Sequence, residues 1–187
     1  MSRAIQIRVS ESVVRTVHVE DGVQAPLEML PILARERQAE LLAGELAQQG
    51  FVREGGAMRR TDPDGLEVTV DLEAATVTVR LGADARLEEA IERRTSAIAE
   101  GNPGAVEAQL RSEIQRDLED RVEKRAEALR REVTGQLEKK LGDLRRELDG
   151  AVGRATVAAL TEKAASLGHI ESVVADEAGN VAIKVKL

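Results

Sequence analysis

Apolar residues alternate with polar ones at Ile5, Ile7 and Val9, and again at Val17 and Val19. A period of two is that of a strand with one buried face. The polar interruption Ser10-Glu11-Ser12 between the two runs predicts a β-hairpin. Gly22 to Pro26 breaks the pattern. From Leu27 the spacing lengthens, and Leu30, Leu33, Leu41, Leu42 and Leu46 fall near one face of a helix that stops at Gly50. Glycine suits that position because it takes the positive φ of a C′ residue without steric cost. Phe51 and Val52 restart extended chain, with a short strand at Met58, and Asp62-Pro63-Asp64-Gly65 supplies a turn. Leu66, Val68, Val70 and Leu72 then alternate strictly, and Val77, Val79 and Leu81 complete a second hairpin. Residues 1–82 are therefore expected to form a small antiparallel sheet with one covering helix.

The pattern changes at residue 83. Leu87, Ala90, Ile91 and Ile98 predict a helix over 84–100, which Gly101-Asn102-Pro103-Gly104 interrupts. Asn102 is a suitable N-cap and Pro103 a suitable first helical residue. Gly104 to Asp149 then reads as one highly charged helix with a thin apolar seam, in which Leu110, Ile114, Leu118, Val122, Leu129, Val133, Leu137 and Leu141 form the expected partner interface. The seam spacing averages about 3.8 residues, above the 3.5 of a left-handed coiled coil and nearer the repeats that favour straight or right-handed packing. At 1.5 Å per residue this coiled-coil-like segment spans roughly 70 Å. The flanking helices, 84–100 and 154–167, reach only about 20–25 Å each. A helical hairpin doubling back near Gly135 is expected, the alternative being a spacer that holds the terminal hairpin at a distance or on another subunit. The helical segment closes at 168, and 169–187 reads as a terminal β-hairpin that docks on a sheet. The fold class is α+β.

Composition narrows the chemistry. The net charge is −7, with no Cys, Trp or Tyr and one Phe. That balance argues against nucleic acid and anionic membrane as partners, and the lack of aromatics removes a stacking platform. No apolar run is long enough to span a bilayer, and no secretion leader opens the chain, so a cytoplasmic protein is expected. Asp62, Asp64, Glu67 and Asp71 crowd one turn without the ligand alternation of a calcium loop. His18 and His169, without cysteines, do not make a zinc site. Glycine-rich phosphate loops are absent. No enzyme activity, metal or cofactor is expected.

One resemblance adds to this reading. Leu42 to Gly56 leading into Gly65 to Leu81, and the final D-E-x-G-N-V-x-I-K-V within Ala175 to Leu187, resemble small accessory components of bacterial ternary systems. These systems pair an FtsH-like or MoxR-like AAA ATPase with a von Willebrand A protein. The resemblance implies a non-catalytic adaptor working beside the ATPase in a defence or conflict setting, and carries over no site residues. Partners are then a protein or a second copy, through the helical seam and edge strands. The alternatives are a stalk-like subunit of a larger ATPase complex and a small enzyme using Asp62, Asp64 or His18.

Overall fold

The computed structural model describes residues 4–98, 102–175 and 181–186. In chain order its elements are β1 (Ala4–Pro26), α1 (Arg35–Gln48), β2 (Val52–Glu54), β3 (Ala57–Thr61), β4 (Leu66–Asp71), β5 (Thr76–Ile98), α2 (Pro103–Leu167), β6 (His169–Ala175) and β7 (Val181–Lys186). The first five strands form one sheet in the order β1-β5-β4-β3-β2, and β6-β7 form a separate two-stranded sheet. The α+β class holds. Gly101 and the expected turn at 176–180 lie outside the described residues.

Three elements depart from the sequence reading. The hairpin expected at residues 5–19 is a single strand, β1, and of the helix expected over 84–100 the described part, to Ile98, is the continuation of β5. In β5 the odd-numbered residues from Val77 to Thr95 turn inward while the even-numbered ones are more exposed, apart from Thr78. Leu87 and Ile91 are four apart, a spacing that fits a strand face as well as a helix face. Glu89 and Arg93 share their inward row and so conceal the alternation. The third departure is α2, which runs 65 residues without a break at Gly135, Gly150 or Gly153. A methyl group added at Gly135 or Gly142 meets nothing within 4 Å, so neither glycine marks a close backbone approach.

Local signals explain much of what remains. Asn102 caps α2, its Oδ1 accepting from Ala105 N at 3.1 Å. At the end of α1, Gly50 (φ 84°) donates to Ala47 O and Phe51 N donates to Leu46 O, both at 3.1 Å. These bonds satisfy two carbonyls that the ending helix leaves open, and both Leu46 and Phe51 are buried beside them. α1 begins at Arg35, not Leu27. Pro31 disfavours helical geometry at the residue before it, so the leucines upstream stay outside the helix.

The chain divides into two compact units, residues 1–21 with 82–135 and residues 22–81 with 136–187. In the first, Arg8 reaches Glu92 and His18 reaches Asp84, so numbers rise along β1 as they fall along β5 and the pair is antiparallel. The first half of α2 covers this pair: Ile114 and Leu118 form one buried cluster with Ile7, Val9 and Ile91. Arg111 pairs with Glu11 at 3.0 Å, and Thr134 donates to Asp21 at 2.6 Å. The two contacts are ten residues apart on the strand and twenty-three apart on the helix. At ~3.3 Å and 1.5 Å per residue, both intervals measure roughly 33–35 Å. Helix and strand therefore run side by side in register.

In the second unit, α1 lies antiparallel to the last part of α2. Arg37 pairs with Glu162 at 2.9 Å and Glu45 with Arg154 at 2.6 Å. Here the buried residues of α2 become small, at Ala151, Ala155 and Ala159. Arg60 of β3 is the node of the unit. Its guanidinium donates to Gln49 O at 3.1 Å and to both carboxylate oxygens of Glu147, at 2.5 and 3.0 Å, and lies 4.6 Å from the Phe51 ring centre. The Glu147 carboxylate holds the Arg60 pKa above its ordinary value.

Two outcomes test this packing. Ile114→Ala should destabilise the chain by about 2–5 kcal/mol in urea denaturation, the cost of a cavity at a fully buried isoleucine. Arg60→Ala should cost about 2–3 kcal/mol, because it strands Glu147 in a half-buried position. Arg60→Lys should recover little of that loss, since an ammonium does not reproduce the two-pronged contact.

Candidate interaction site

The seam residues identified from sequence are occupied within the chain. Ile114, Leu118, Val122, Val133 and Leu137 are buried, and Leu110, Leu129 and Leu141 are half-buried. Leu110 and Val13 pack on the margin of the cluster that holds Ile114 and Leu118. A one-residue-wide seam needs one narrow contact, and in the first unit β1 and β5 provide it.

The charged flanks of the seam are engaged in the same way. Glu89 points inward with its side chain only 9% exposed, and Arg125 and Arg121 reach it at 2.7 and 3.8 Å. Arg93 pairs with Asp117 and lies 3.7 Å from Glu113. Outward-facing charges also find partners along the sheet. Hydrogen bonds from Arg8, and next from Arg94, hold the Glu92 carboxyl below the usual carboxylate range. Arg53 does the same for Glu40 on α1.

The residues considered for catalysis have structural duties. His18 Nδ1 lies 2.8 Å from Asp84 Oδ1, on an exposed surface. Asp62 Oδ1 is 2.9 Å from Arg60 Nε, and Asp64 pairs with Lys140. Asp71 Oδ1 accepts from Glu73 N and Ala74 N at 2.9 and 2.7 Å, shaping the β4–β5 turn. Glu67 stands opposite Arg80 in the ladder, beside Thr69 opposite Thr78. With Arg59 these residues frame a shallow depression of about 220 Å³ on the outer face of the sheet. Arg59 is already 3.0 Å from Glu54, and the depression holds no histidine to serve as a base. His169 opens β6 opposite Lys186. Among the described residues no three His, Cys, Asp or Glu side chains are grouped to hold a metal ion. No helix among them is long and apolar enough to cross a membrane.

Two features stay open. The terminal hairpin β6-β7 is a sheet of its own, with Val173 and Val174 47% and 59% exposed. Its apolar row, Ile170, Val173, Val181, Ile183 and Val185, is only half-covered or exposed. Gly168 joins it tightly to α2, since a methyl group there would lie 2.3 Å from the Lys186 carbonyl oxygen. The other feature is the outer edge of β1, beside a cavity of about 350 Å³ lined by Glu11, Val13 and Arg15 of the strand and Leu118 and Val122 of the helix. Sequence reasoning missed this edge by dividing β1 in two. The signal was parity: Ile7, Val9, Val13, Val17 and Val19 are all odd-numbered, straight through Ser10-Glu11-Ser12.

No curated protein and no solved structure matches the chain. The family model described as FtsH ternary system domain X5 matches residues 1–187, in agreement with the resemblance carried by the segments ending at Gly56, Leu81 and Leu187. The chain belongs to the FtsH ternary system domain X5 family and is an accessory component of such a system.

Proposed function

We propose that this chain is a non-catalytic assembly component that works beside the AAA ATPase of its ternary system and engages a protein partner through the terminal hairpin. The observation that carries the reading is the separation of β6-β7 from the five-stranded sheet, with valines exposed on both of its faces. A two-stranded sheet alone is marginal in water. Its unpaired edges suit an extended segment of a partner, which would supply main-chain hydrogen bonds while the alternate side chains supply selectivity. On β7 Lys184 already pairs with Glu171 at 2.8 Å, while Lys186 adds a second positive charge to the same row.

A direct test is co-purification of the full chain with the ATPase and the von Willebrand A component of its own system. The unmodified chain should co-elute with one of them, and Val173→Glu/Val174→Glu should weaken that binding at least ~10-fold, as charge placed in an apolar contact does. Both positions are exposed, so circular dichroism should register no loss of fold. Failure of both components to bind the unmodified chain, or unchanged binding by the double variant, would overturn the proposal.

A further inference from the structure

We infer that the outer edge of β1 is a self-pairing surface: two copies of this chain join β1 to β1 antiparallel about a two-fold axis at Val13. This surface is distinct from the terminal hairpin, and the inference stands apart from the function proposed above.

The edge itself calls for a cover. β1 is an outermost strand of 23 residues, whereas the opposite outer strand, β2, has three. A three-residue edge is protected by its shortness. Long edges are usually blunted with proline, lysine, a bulge or inward-pointing charges, and the inward charges between Ile7 and Val19 are Glu11 and Arg15, of opposite sign. Ile5 to Val19 contains no proline, lysine or glycine. Its unpaired backbone groups are a template for another strand.

The side chains select the second strand. In an antiparallel pair centred on Val13, helix-facing residues meet helix-facing residues: Val13 meets its own copy, Val9 meets Val17, Ile7 meets Val19 and Glu11 meets Arg15, the last three twice over. On the outer face Ser10 meets Thr16 and Ser12 meets Val14. Opposite charges and β-branched pairs directly across a ladder are the stabilising combinations. Neighbouring registers do worse. Centring on Ser12 sets Glu11 against Val13 and Val9 against Arg15, and centring on Val14 sets Val13 against Arg15 and Glu11 against Val17. Centring on Glu11 or Arg15 opposes like charges at the axis. A slip of one residue in a single strand turns the apolar row to the wrong face.

Two structural observations fall on the same centre. Arg15 is exposed and forms no ion pair among the described residues, although it belongs to a row in which Glu11, Glu89 and Arg93 all have partners. The cavity beside β1 takes its strand lining from Glu11, Ser12, Val13 and Arg15, and its helix lining includes Leu118 and Val122. That gap, which Gln115 and Glu119 of the helix also line, opens where the second copy's Val13 and Arg15 would enter, so an apolar and a charged side chain would each meet matching groups there.

Sedimentation of the full chain tests the inference. Unmodified protein should have twice the 20.2 kDa chain mass. Arg15→Glu should weaken self-association ~100-fold by facing Glu11 with a second carboxylate across the axis. Glu11→Arg/Arg15→Glu should restore it. Because Glu11→Arg also loses the contact to Arg111, a second measurement is independent of it. The chain has no cysteine. Val13→Cys should therefore oxidise to a covalent dimer, because paired Cα atoms lie about 4.5–5.5 Å apart, within disulfide reach. Ser12→Cys, two residues out of register with its copy, should not. A single-chain mass for unmodified protein, undiminished association of Arg15→Glu, or cross-linking of Ser12→Cys in preference to Val13→Cys would overturn the inference.

Discussion

The contact between α2 and the charged, inward-facing row of β1 and β5 governs the first unit. A carboxylate as enclosed as that of Glu89 loses most of its hydration, and an unpaired charge so placed is expensive. Arg121 and Arg125, one helical turn apart, both reach it. Exposed ion pairs add little to stability on their own, so burial of Ile114, Leu118 and their neighbours supplies the energy. The pairs supply position. A seam only one residue wide tolerates sliding along a strand, but Glu11–Arg111, Glu89–Arg125 and Arg93–Asp117 each specify where the helix stops.

The same charges explain what the sequence revealed and what it hid. The β3–β4 and β4–β5 hairpins were legible because the alternation from Leu66 to Leu81 is uninterrupted, and Asp62-Pro63-Asp64-Gly65 and Asp71 carry the turn chemistry. Asn102 and Gly50 were legible because each performs a local function within a few residues of itself. Glu11, Glu89 and Arg93 broke the period at the positions where a strand should be apolar. Their partners lie from 20 to 100 residues away, beyond the reach of any local pattern. The seam was visible for the complementary reason that helical spacing survives polar flanks, but spacing alone does not say whether a helix or a sheet lies opposite.

Candidate chemistry was legible mainly as exclusion. Asp62, Asp64 and Asp71 form a suggestive cluster in sequence, yet Arg60, Lys140 and a backbone turn claim them separately. The scarcity of aromatics has a structural counterpart as well. Phe51, the sole phenylalanine, is 3% exposed, where it seals the end of α1 and backs the Arg60 guanidinium. It is spent on folding and leaves no aromatic wall for a ligand.

In each unit the strands' outward-facing side chains are adapted to water by pairing. In the first unit Glu92 pairs with both Arg8 and Arg94 and His18 lies beside Asp84, and in the second Arg59 pairs with Glu54. A surface whose charges already satisfy one another has little reason to exchange water for a partner, because each pair must be broken or desolvated. Strand edges are different. Their backbone N–H and C=O groups gain full hydrogen-bonding geometry only when another strand arrives, and nothing on the edge must first be displaced except water. In this chain the long edge of β1 and the two edges of β6-β7 are in that condition. Selection for assembly through those edges would act on the side chains that flank them, Arg15, Val173 and Val174 among them.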